Sequence, residues 1–184
     1  ARWLGTHAPA TAAQVRGPAE TAMVDSIEHD VGAPLPADLR AWWALADGFI
    51  PYRTMSLIPS IHKPLPTALV RKELRSWLDI AGTESSVDAD DATMDEYDDD
   101  DEFRDPDDEV DAEAGSFSHR YQRLFVPISE DGCGQVLFVD LRPGPWHGSI
   151  SEWDHEQGFL DVPSWRSITA MLTDIADALE SGGP

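Results

Sequence analysis

The sequence predicts an α+β fold in which a mixed or antiparallel sheet of about four to six strands is packed by N-terminal, middle and C-terminal helices. Apolar residues recur with helical spacing near both ends of the chain and once in its middle, whereas strand-like runs are grouped after residue 120. In addition, 41% of the 184 residues are apolar and seven are tryptophan, which is enough to build one core.

Two helices are predicted near the N-terminus, each opening on a proline, which the first helical turn tolerates. Apolar residues four apart predict the first helix from about 18 to 31. The second begins at Pro36 and is closed by Gly48, a residue type that readily takes the left-handed conformation. Its apolar face consists of Leu39, Trp42, Trp43 and Ala46.

The middle of the chain is predicted to hold one short strand and one helix. The run "YRTMSLIPS" has the mixed apolar and β-branched composition of a strand that ends at Pro59. Apolar residues at i, i+4, i+7, i+8 and i+11 then predict a third helix, which begins near Thr67 and is closed by Gly82. Its apolar positions are Val70, Leu74, Trp77, Leu78 and Ala81.

Acidic residues dominate a low-complexity insertion at about residues 84–116. Between Asp88 and Glu113 there are sixteen acidic residues and one basic residue, Arg104, which give a local net charge of −15. The whole chain carries −22, so −7 remains for the rest of it. A segment with so few apolar residues cannot bury enough surface to offset its ordering entropy, and we expect a disordered insertion.

Three strand-like runs and a closing helix are predicted after the insertion. The runs "RLFVPI", "QVLFVDL" and "GSISEWD" are separated by turn-forming residues and suit an antiparallel meander. The closing helix has Ser164 as its N-cap and Gly182 beyond its end. Its apolar face is formed by Trp165, Ile168, Leu172, Ile175 and Leu179.

The stretch "LFVPISEDGCGQVLFVDL" contains two strand-like runs around a loop with two glycines and the single cysteine. A phosphate-binding loop requires G-x-x-x-x-G-K-[ST], or G-x-G-x-x-G between a strand and a helix, and this loop matches neither. The acidic neighbours of Cys133 do not favour a thiolate nucleophile. We therefore expect a hairpin turn in which Gly132 and Gly134 take positive φ and Asp131 accepts backbone N–H bonds.

The sequence predicts no metal site and no cofactor, and it assigns no catalytic residue. The acidic run lacks the glycine and spacing of an EF-hand loop, the histidines lack the pattern H-E-x-x-H, and a single cysteine leaves no C-x-x-C. No G-x-S-x-G motif is evident either. One alternative stays open, a small carboxylate- or metal-dependent hydrolase that uses Asp154, His155 and a further acid such as Glu156.

Charge and composition limit the partners and the compartment. A net charge of −22 argues against binding of nucleic acid or anionic lipid and favours a basic partner. One cysteine allows no intrachain disulfide, and no run approaches the ~18 apolar residues of a membrane span. We expect a cytoplasmic protein, with residues 1–17 as an N-terminal tail or truncated helix and residues 18–184 as a single domain.

Four stretches of the chain are informative as an ordered set. They are "PAETAMVDSIEHDVGAPLPADLRAWWALADGF", "LFVPISEDGCGQVLFVDL", "ISEWDHEQG" and the final "SWRSITAML". Each is weak alone, but together they cover most of the chain from Pro18 to Leu179 apart from the acidic insertion. As a set they resemble the SUKH superfamily, the family of the fungal cell-wall assembly regulator and of many bacterial toxin-immunity proteins.

The resemblance implies an α+β domain that binds other proteins and has no catalytic residues. The sequence departs from the usual pattern at Cys133, where glycine is common, and in the long acidic insertion. The insertion is either a specificity element or a lineage-specific linker. The residues that carry the resemblance, and that we expect to be a signature of the fold, are Pro36, Gly48, Gly132, Gly134, Asp140, Trp153 and His155.

The predicted function is that of a non-enzymatic immunity protein that neutralises a basic toxin, with nucleases as one candidate class. The alternative is a regulatory or scaffold adaptor of the cell-wall assembly type. Because neighbouring side chains diverge on a helix, one of Trp42 and Trp43 is expected to reach a groove or the surface. The chain is expected to be a monomer or a weak homodimer. Partner contacts are expected at Asp98, Asp99, Asp100, Asp101, Glu102, Trp42 and Trp153.

Overall fold

The structure, a computed structural model, describes residues 2–51, 57–58, 62–87, 113–118, 121–154 and 158–181. In these residues the helices are α1 (Arg2–His7), α2 (Pro9–Ala12), α3 (Thr21–Val31), α4 (Ala37–Trp43), α5 (Thr67–Val87) and α6 (Ile168–Ser181). The strands are β1 (Lys63–Pro64), β2 (Phe125–Glu130), β3 (Gln135–Asp140), β4 (Ile150–Asp154) and β5 (Gly158–Trp165). The α+β class predicted from the sequence is confirmed.

The five strands form one antiparallel sheet in the order β1-β2-β3-β4-β5. Strands β2 to β5 follow one another directly in the sequence and form a meander, whereas α5 and the acidic insertion lie between β1 and β2. Val126 of β2 pairs with Val139 of β3, which pairs in turn with Ile150 of β4. Among the described residues, β1 and β5 are the two edges of the sheet. The prediction of a mixed or antiparallel sheet of about four to six strands is confirmed, and the sheet is antiparallel.

The edge formed by β1 is only two residues long. The strand predicted from "YRTMSLIPS" covers residues 52–60, of which 52–56 and 59–60 lie outside the described residues. The described pair in this run, Leu57 and Ile58, donate their N–H groups to the carbonyl of His62 at 3.3 and 3.4 Å. These two residues therefore turn back onto the chain just before β1.

Strand β5 shows that the prediction of Ser164 as a helix N-cap and of Trp165 on a helical face was wrong. Both residues lie in β5, and Trp165 pairs with Ile150 of β4. Helix α6 begins only after this strand, where the Ser167 Oγ accepts the N–H of Ala170 at 3.1 Å. A register shift between β4 and β5 interrupts the alternation by which a strand is recognised, and pairing with β4 decides the conformation.

Three helix boundaries differ from the predicted ones. Helix α3 begins at Thr21, and α4 ends at Trp43, well before Gly48. Helix α5 continues through Gly82 to Val87. Glycine inside a helix costs only about 1 kcal/mol, so a single glycine does not by itself end a helix.

One hydrophobic core joins the sheet to the helices. Helix α3 packs against α5, α5 packs against β2, and α6 packs against both α4 and β5. Removing a large apolar side chain from water contributes roughly 1.5–3 kcal/mol to the stability of the fold, so this core holds the helices in place on the sheet. The largest fully buried side chains include Trp43, Phe125, Phe138, Ile27, Leu39 and Leu74.

Candidate interaction surface

An apolar groove with a volume of about 500 Å³ lies between α1, α4 and α6. Trp42 and Leu45 contribute one wall, and Leu172, Ile175 and Leu179 contribute the wall from α6. Helix α1 closes one side of the groove. Because most of the lining is hydrocarbon, the groove can bind an apolar side chain or helix face by the hydrophobic effect.

The adjacent tryptophans of α4 have different environments, as their divergence on a helix predicts. Trp43 is only 1% exposed and belongs to the core. Trp42 is half-buried and lines the groove. Leu45, just after α4, is 79% exposed and lines the same groove. A large exposed apolar side chain that adjoins an open apolar groove makes this surface a candidate for contact with a partner.

One charged residue of α6, Glu180, lines the groove, and Arg2 of α1 lines it as well. Asp174 and Asp177 are exposed, but their positions in the helix place them away from the groove-lining face of α6. The Asp174 carboxylate accepts the Trp165 indole N–H at 3.0 Å. The groove therefore combines an apolar lining with a carboxylate at its edge, which suits a partner surface that is apolar in the middle and carries a basic group at its edge.

The N-terminal segment that carries α1 is joined to the domain by backbone hydrogen bonds. The Arg16 N–H donates to the Gly48 carbonyl at 3.0 Å, and Ile50 donates to the Gln14 carbonyl at 2.8 Å. Val15 also forms an isolated antiparallel β-bridge with Phe49. Beyond these contacts α1 reaches the groove, where Leu4 is its single buried residue. The segment is thus anchored at residues 14–17 and rests on the groove through α1.

Asp47 is a buried carboxylate that the sequence reasoning missed. One carboxylate oxygen accepts the Thr67 N–H at 2.7 Å and the Thr67 hydroxyl at 2.8 Å, and so caps the start of α5. The other oxygen accepts the Arg16 guanidinium at 3.1 Å. The available signal in the sequence was the pair "DG", in which Asp47 directly precedes Gly48. Asp47 links the N-terminal segment, the end of the α4 region and α5.

The chain returns from the acidic insertion onto a buried ion pair between Asp140 and Arg142. The Arg142 Nη2 lies 2.8 Å from Asp140 Oδ2, and both side chains are almost fully buried. Asp140 also accepts the Gly115 N–H at 2.9 Å, and Arg142 donates to the Ser116 carbonyl at 2.8 Å. The ion pair therefore fixes the point at which the insertion ends, which gives Asp140 a structural role.

The ends of the insertion differ from the range of about 84–116. Residues 84–87 belong to α5, and residues 113–116 pack on the domain. Residues 88–112, which include the predicted contact residues Asp98, Asp99, Asp100, Asp101 and Glu102, lie outside the described residues.

The loop between β2 and β3 is a turn of the predicted kind. Gly132 and Gly134 have φ angles of 84° and 107°. One Asp131 oxygen accepts the N–H groups of Cys133 at 2.6 Å and Gln135 at 3.0 Å. The thiol of Cys133 is exposed and free. The positive φ of both glycines and the local hydrogen bonding of Asp131 are confirmed.

Trp153, which was expected to contact a partner, lies in the core. It is 4% exposed and packs edge-on against Trp77 and Tyr121. A side chain enclosed in this way offers no surface to a partner in this conformation. Burial between α5 and the sheet therefore explains its place among the signature residues better than a binding role does.

The hydrolase alternative depends on Asp154, His155 and Glu156. His155 and Glu156 lie outside the described residues. Asp154 is buried and accepts the Gln135 side-chain amide at 3.1 Å. In the described part of the chain, no three acidic, histidine or cysteine side chains come together as metal ligands.

A buried histidine network was not anticipated from the sequence. His62 Nε2 lies 3.0 Å from a Glu152 oxygen, and its Nδ1 lies 3.2 Å from the Ser129 hydroxyl. This is a Ser-His-Glu set, but Ser129 is 0% exposed and His62 is 1% exposed. The network joins β2 and β4 to the residue just before β1, and the buried Ser129 hydroxyl is enclosed in this conformation.

Comparison with known protein families identifies one family over most of this chain. A model of the SMI1 / KNR4 family (SUKH-1) matches residues 18–174. The match spans α3 to β5 and the first half of α6, and it leaves out α1 and α2. No curated protein matches the sequence significantly. None of the helices in the described ranges has the length and apolar character that crossing a membrane requires.

Proposed function

Because the chain belongs to the SMI1 / KNR4 family (SUKH-1), we propose that it is an immunity protein that binds and neutralises a basic toxin domain. Membership supports a module of the immunity or cell-wall regulator type, and members of the family are generally non-enzymatic. The preference for immunity and for a basic partner rests on the charge and the surface of this particular chain.

The observation that carries the proposal is the apolar groove with the Glu180 carboxylate at its edge. Protein interfaces gain most of their free energy from a few well-packed aromatic and aliphatic anchors. Trp42 and Leu45 are suitable anchors because both line the groove and Leu45 is 79% exposed. Glu180 adds selectivity, since a carboxylate at the edge of the groove favours a basic partner and disfavours an acidic one.

The net charge of −22 supports the same class of partner. Long-range attraction between oppositely charged proteins raises association rates by roughly 10- to 1,000-fold. A toxin that degrades nucleic acid needs a positive surface to hold its substrate. An acidic inhibitor that covers such a surface blocks the toxin and reaches it quickly.

The role of the acidic insertion is tested by replacing the fifteen acidic residues from Asp88 to Asp111 with Asn or Gln, which changes the net charge from −22 to −7. The partner is first captured from the native host with the tagged chain and then purified. We expect the neutral variant to associate about tenfold more slowly at low salt, with a nearly unchanged dissociation rate. Stopped-flow fluorescence measures both rates.

The matched control exchanges Asp for Glu and Glu for Asp over the same residues, which keeps the charge and alters the side chains. This control should associate at the rate of the unchanged chain, and both should slow as salt is raised. An association rate that ignores both salt and neutralisation would contradict acidic steering.

A regulatory or scaffold adaptor is the second candidate, because family membership supports it as well. The captured partner separates the two functions. A partner that is toxic alone and loses its activity in an equimolar complex supports immunity. A partner that keeps its activity in the complex supports an adaptor instead.

A further inference from the structure

The groove is partly filled by a helix from outside the family-matched domain. The match begins at residue 18, whereas α1 occupies Arg2–His7. The opposite walls come from α4, which is matched in full, and from α6, of which the first half is matched. A surface of the domain is therefore covered by a segment that the family model does not include.

The covering helix indicates what kind of structure the groove accepts. Its sequence RWLGTH combines a basic residue with two large apolar residues. Leu4 is 7% exposed, so the groove removes it from water. Arg2 lines the same groove as Glu180 of α6, which is the arrangement that opposite charges favour. A short helix that is apolar on one face and basic at its edge is already bound here.

Helix α1 leaves much of the groove open. A volume of about 500 Å³ remains beside it, and Leu45 is still largely in water. The open part continues along α6 to Leu179, next to the exposed acid Glu180. Grooves of this shape between helices bind amphipathic helices through anchors at i, i+3, i+4 and i+7. A longer helix than α1 would contact more of these walls.

We propose that the groove binds an amphipathic basic helix of the protein partner. In the free chain α1 occupies part of this groove, and the partner's helix displaces it. The proposal rests on the proposed function and names the part of the partner that is recognised. Residues 14–17 keep their backbone bonds to residues 47–50 while α1 leaves. Because only molecules from which α1 has left the groove can bind the longer helix, α1 lowers the apparent affinity by the fraction of such molecules.

The test uses the full chain and a fluorescein-labelled peptide of about 14 leucine and lysine residues, with the leucines at helical anchor spacing. A peptide of identical composition with evenly scattered leucines is the control for charge alone. We expect the amphipathic peptide to bind at least about tenfold more tightly than the scattered one in fluorescence anisotropy. Equal binding of the two peptides would overturn the proposal.

Displacement of α1 is tested by Leu4→Asp with Gly5→Asp as its matched control. Leu4 is buried in the groove, whereas a side chain at Gly5 meets nothing within 4 Å. Both variants add the same charge to α1. We expect Leu4→Asp to bind the amphipathic peptide about tenfold more tightly and Gly5→Asp to stay within about twofold of the unchanged chain. Identical affinities of the two variants would show that α1 does not compete.

The groove itself is tested by Ala176→Trp, which places an indole in it, with Ala22→Trp on α3 as the control. Both alanines are exposed, and only Ala176 lines the groove. Ala176→Trp should weaken peptide binding by about tenfold, and Ala22→Trp should not change it. Circular dichroism confirms that each variant is folded.

Amide hydrogen exchange of the complex gives an independent result. Peptide binding should speed exchange in α1 and slow it in α6. Unchanged exchange in both helices would overturn the proposal even if the peptide binds. If peptide binding depends on salt but is unchanged in Leu4→Asp and Ala176→Trp, the proposal of a helix bound in the groove is wrong, whereas the proposal of a basic partner is not contradicted.

Discussion

Gly48 shows how one residue joins two parts of the chain. A Cβ at this position would lie 2.4 Å from the carbonyl group of Leu65, and φ is +64°. The next residue, Phe49, donates its N–H to Pro64 at 2.9 Å. The close approach and the left-handed backbone each require glycine.

Gly48→Ala is expected to lower the free energy of unfolding by about 3 kcal/mol or more, because it violates both requirements. Gly17→Ala is the control, since nothing lies within 4 Å of a Cβ there. The control should change stability by less than about 0.5 kcal/mol. Urea unfolding followed by circular dichroism measures both variants, and equal stabilities would contradict the argument.

Asp140 and Arg142 are a second case in which a residue acts through its neighbours. The guanidinium of Arg142 also lies 4.8 Å from the centre of the Phe125 ring. The Arg142 guanidinium and the Gly115 N–H together satisfy the Asp140 carboxylate, which belongs to a residue that is 0% exposed. A buried pair adds little over an apolar replacement, but the loss of one partner leaves a buried charge.

Asp140→Ala is therefore expected to cost about 3–5 kcal/mol of unfolding free energy. The double variant Asp140→Ala/Arg142→Met should recover part of this loss, since it leaves no unpaired charge. Asp131→Ala, which removes another buried carboxylate that accepts backbone N–H groups, should cost only about 1–3 kcal/mol. A smaller loss for Asp140→Ala than for Asp131→Ala would show that the ion pair does not hold the returning chain.

At the scale of elements, carboxylates of α3 attach this helix to its neighbours. Asp30 lies 2.6 Å from the Arg71 Nε and 3.1 Å from the Arg75 Nη2 on α5. The hydrogen bond from Arg71 holds the pKa of Asp30 below its usual value. The Leu35 N–H, followed by the Arg40 guanidinium, likewise lowers the pKa of Glu28. Both carboxylates are more acidic in the folded chain.

A lowered pKa in the folded state contributes stability above the unfolded pKa, and this contribution is lost as the pH falls through the folded pKa. Asp30→Asn should therefore have a lower free energy of unfolding than the unchanged chain at pH 7. This difference should shrink as the pH falls below 3.8, the ordinary pKa of an aspartate. Arg71→Gln should reduce the acid dependence in the same way. Urea unfolding at a series of pH values measures this, and parallel curves for all three proteins would contradict it.

At the scale of the whole molecule, the charge is concentrated in one segment. Self-repulsion of a net charge of −22 opposes compaction and also opposes self-association. The expected monomer or weak homodimer stays a prediction, as do the cytoplasmic location and the role of residues 1–17 as a tail. Residues 113–116 belong to the packed domain, so experiments on the insertion should stop at residue 112.

The neutral variant of residues 88–111 should keep the fold and its thermal midpoint within a few degrees, which corresponds to about 1 kcal/mol or less. Added salt should raise the midpoint of the unchanged chain more than that of the neutral variant, because it screens repulsion. Differential scanning calorimetry measures both midpoints. A large loss of stability on neutralisation would show that the segment belongs to the core.

The sequence predicted those features that depend on residues close together in the chain. The turn at Gly132 and Gly134 follows from local backbone chemistry, and helices α3, α4 and α6 follow from apolar spacing. It failed at Ser164 and Trp165, because pairing with β4 outweighs the local pattern. It also misjudged Trp153, since apolar character does not distinguish a core aromatic from a binding one.

By itself the sequence determined the α+β class, the family and the excess of negative charge, because composition, order and periodicity are properties of the chain. Only the tertiary structure decided that α1, α4 and α6 enclose a groove, that Asp47 joins three segments, and that Asp140 meets the chain returning from the insertion. These contacts join residues far apart in sequence. Their geometry depends on how helices pack on the sheet, which local patterns do not specify.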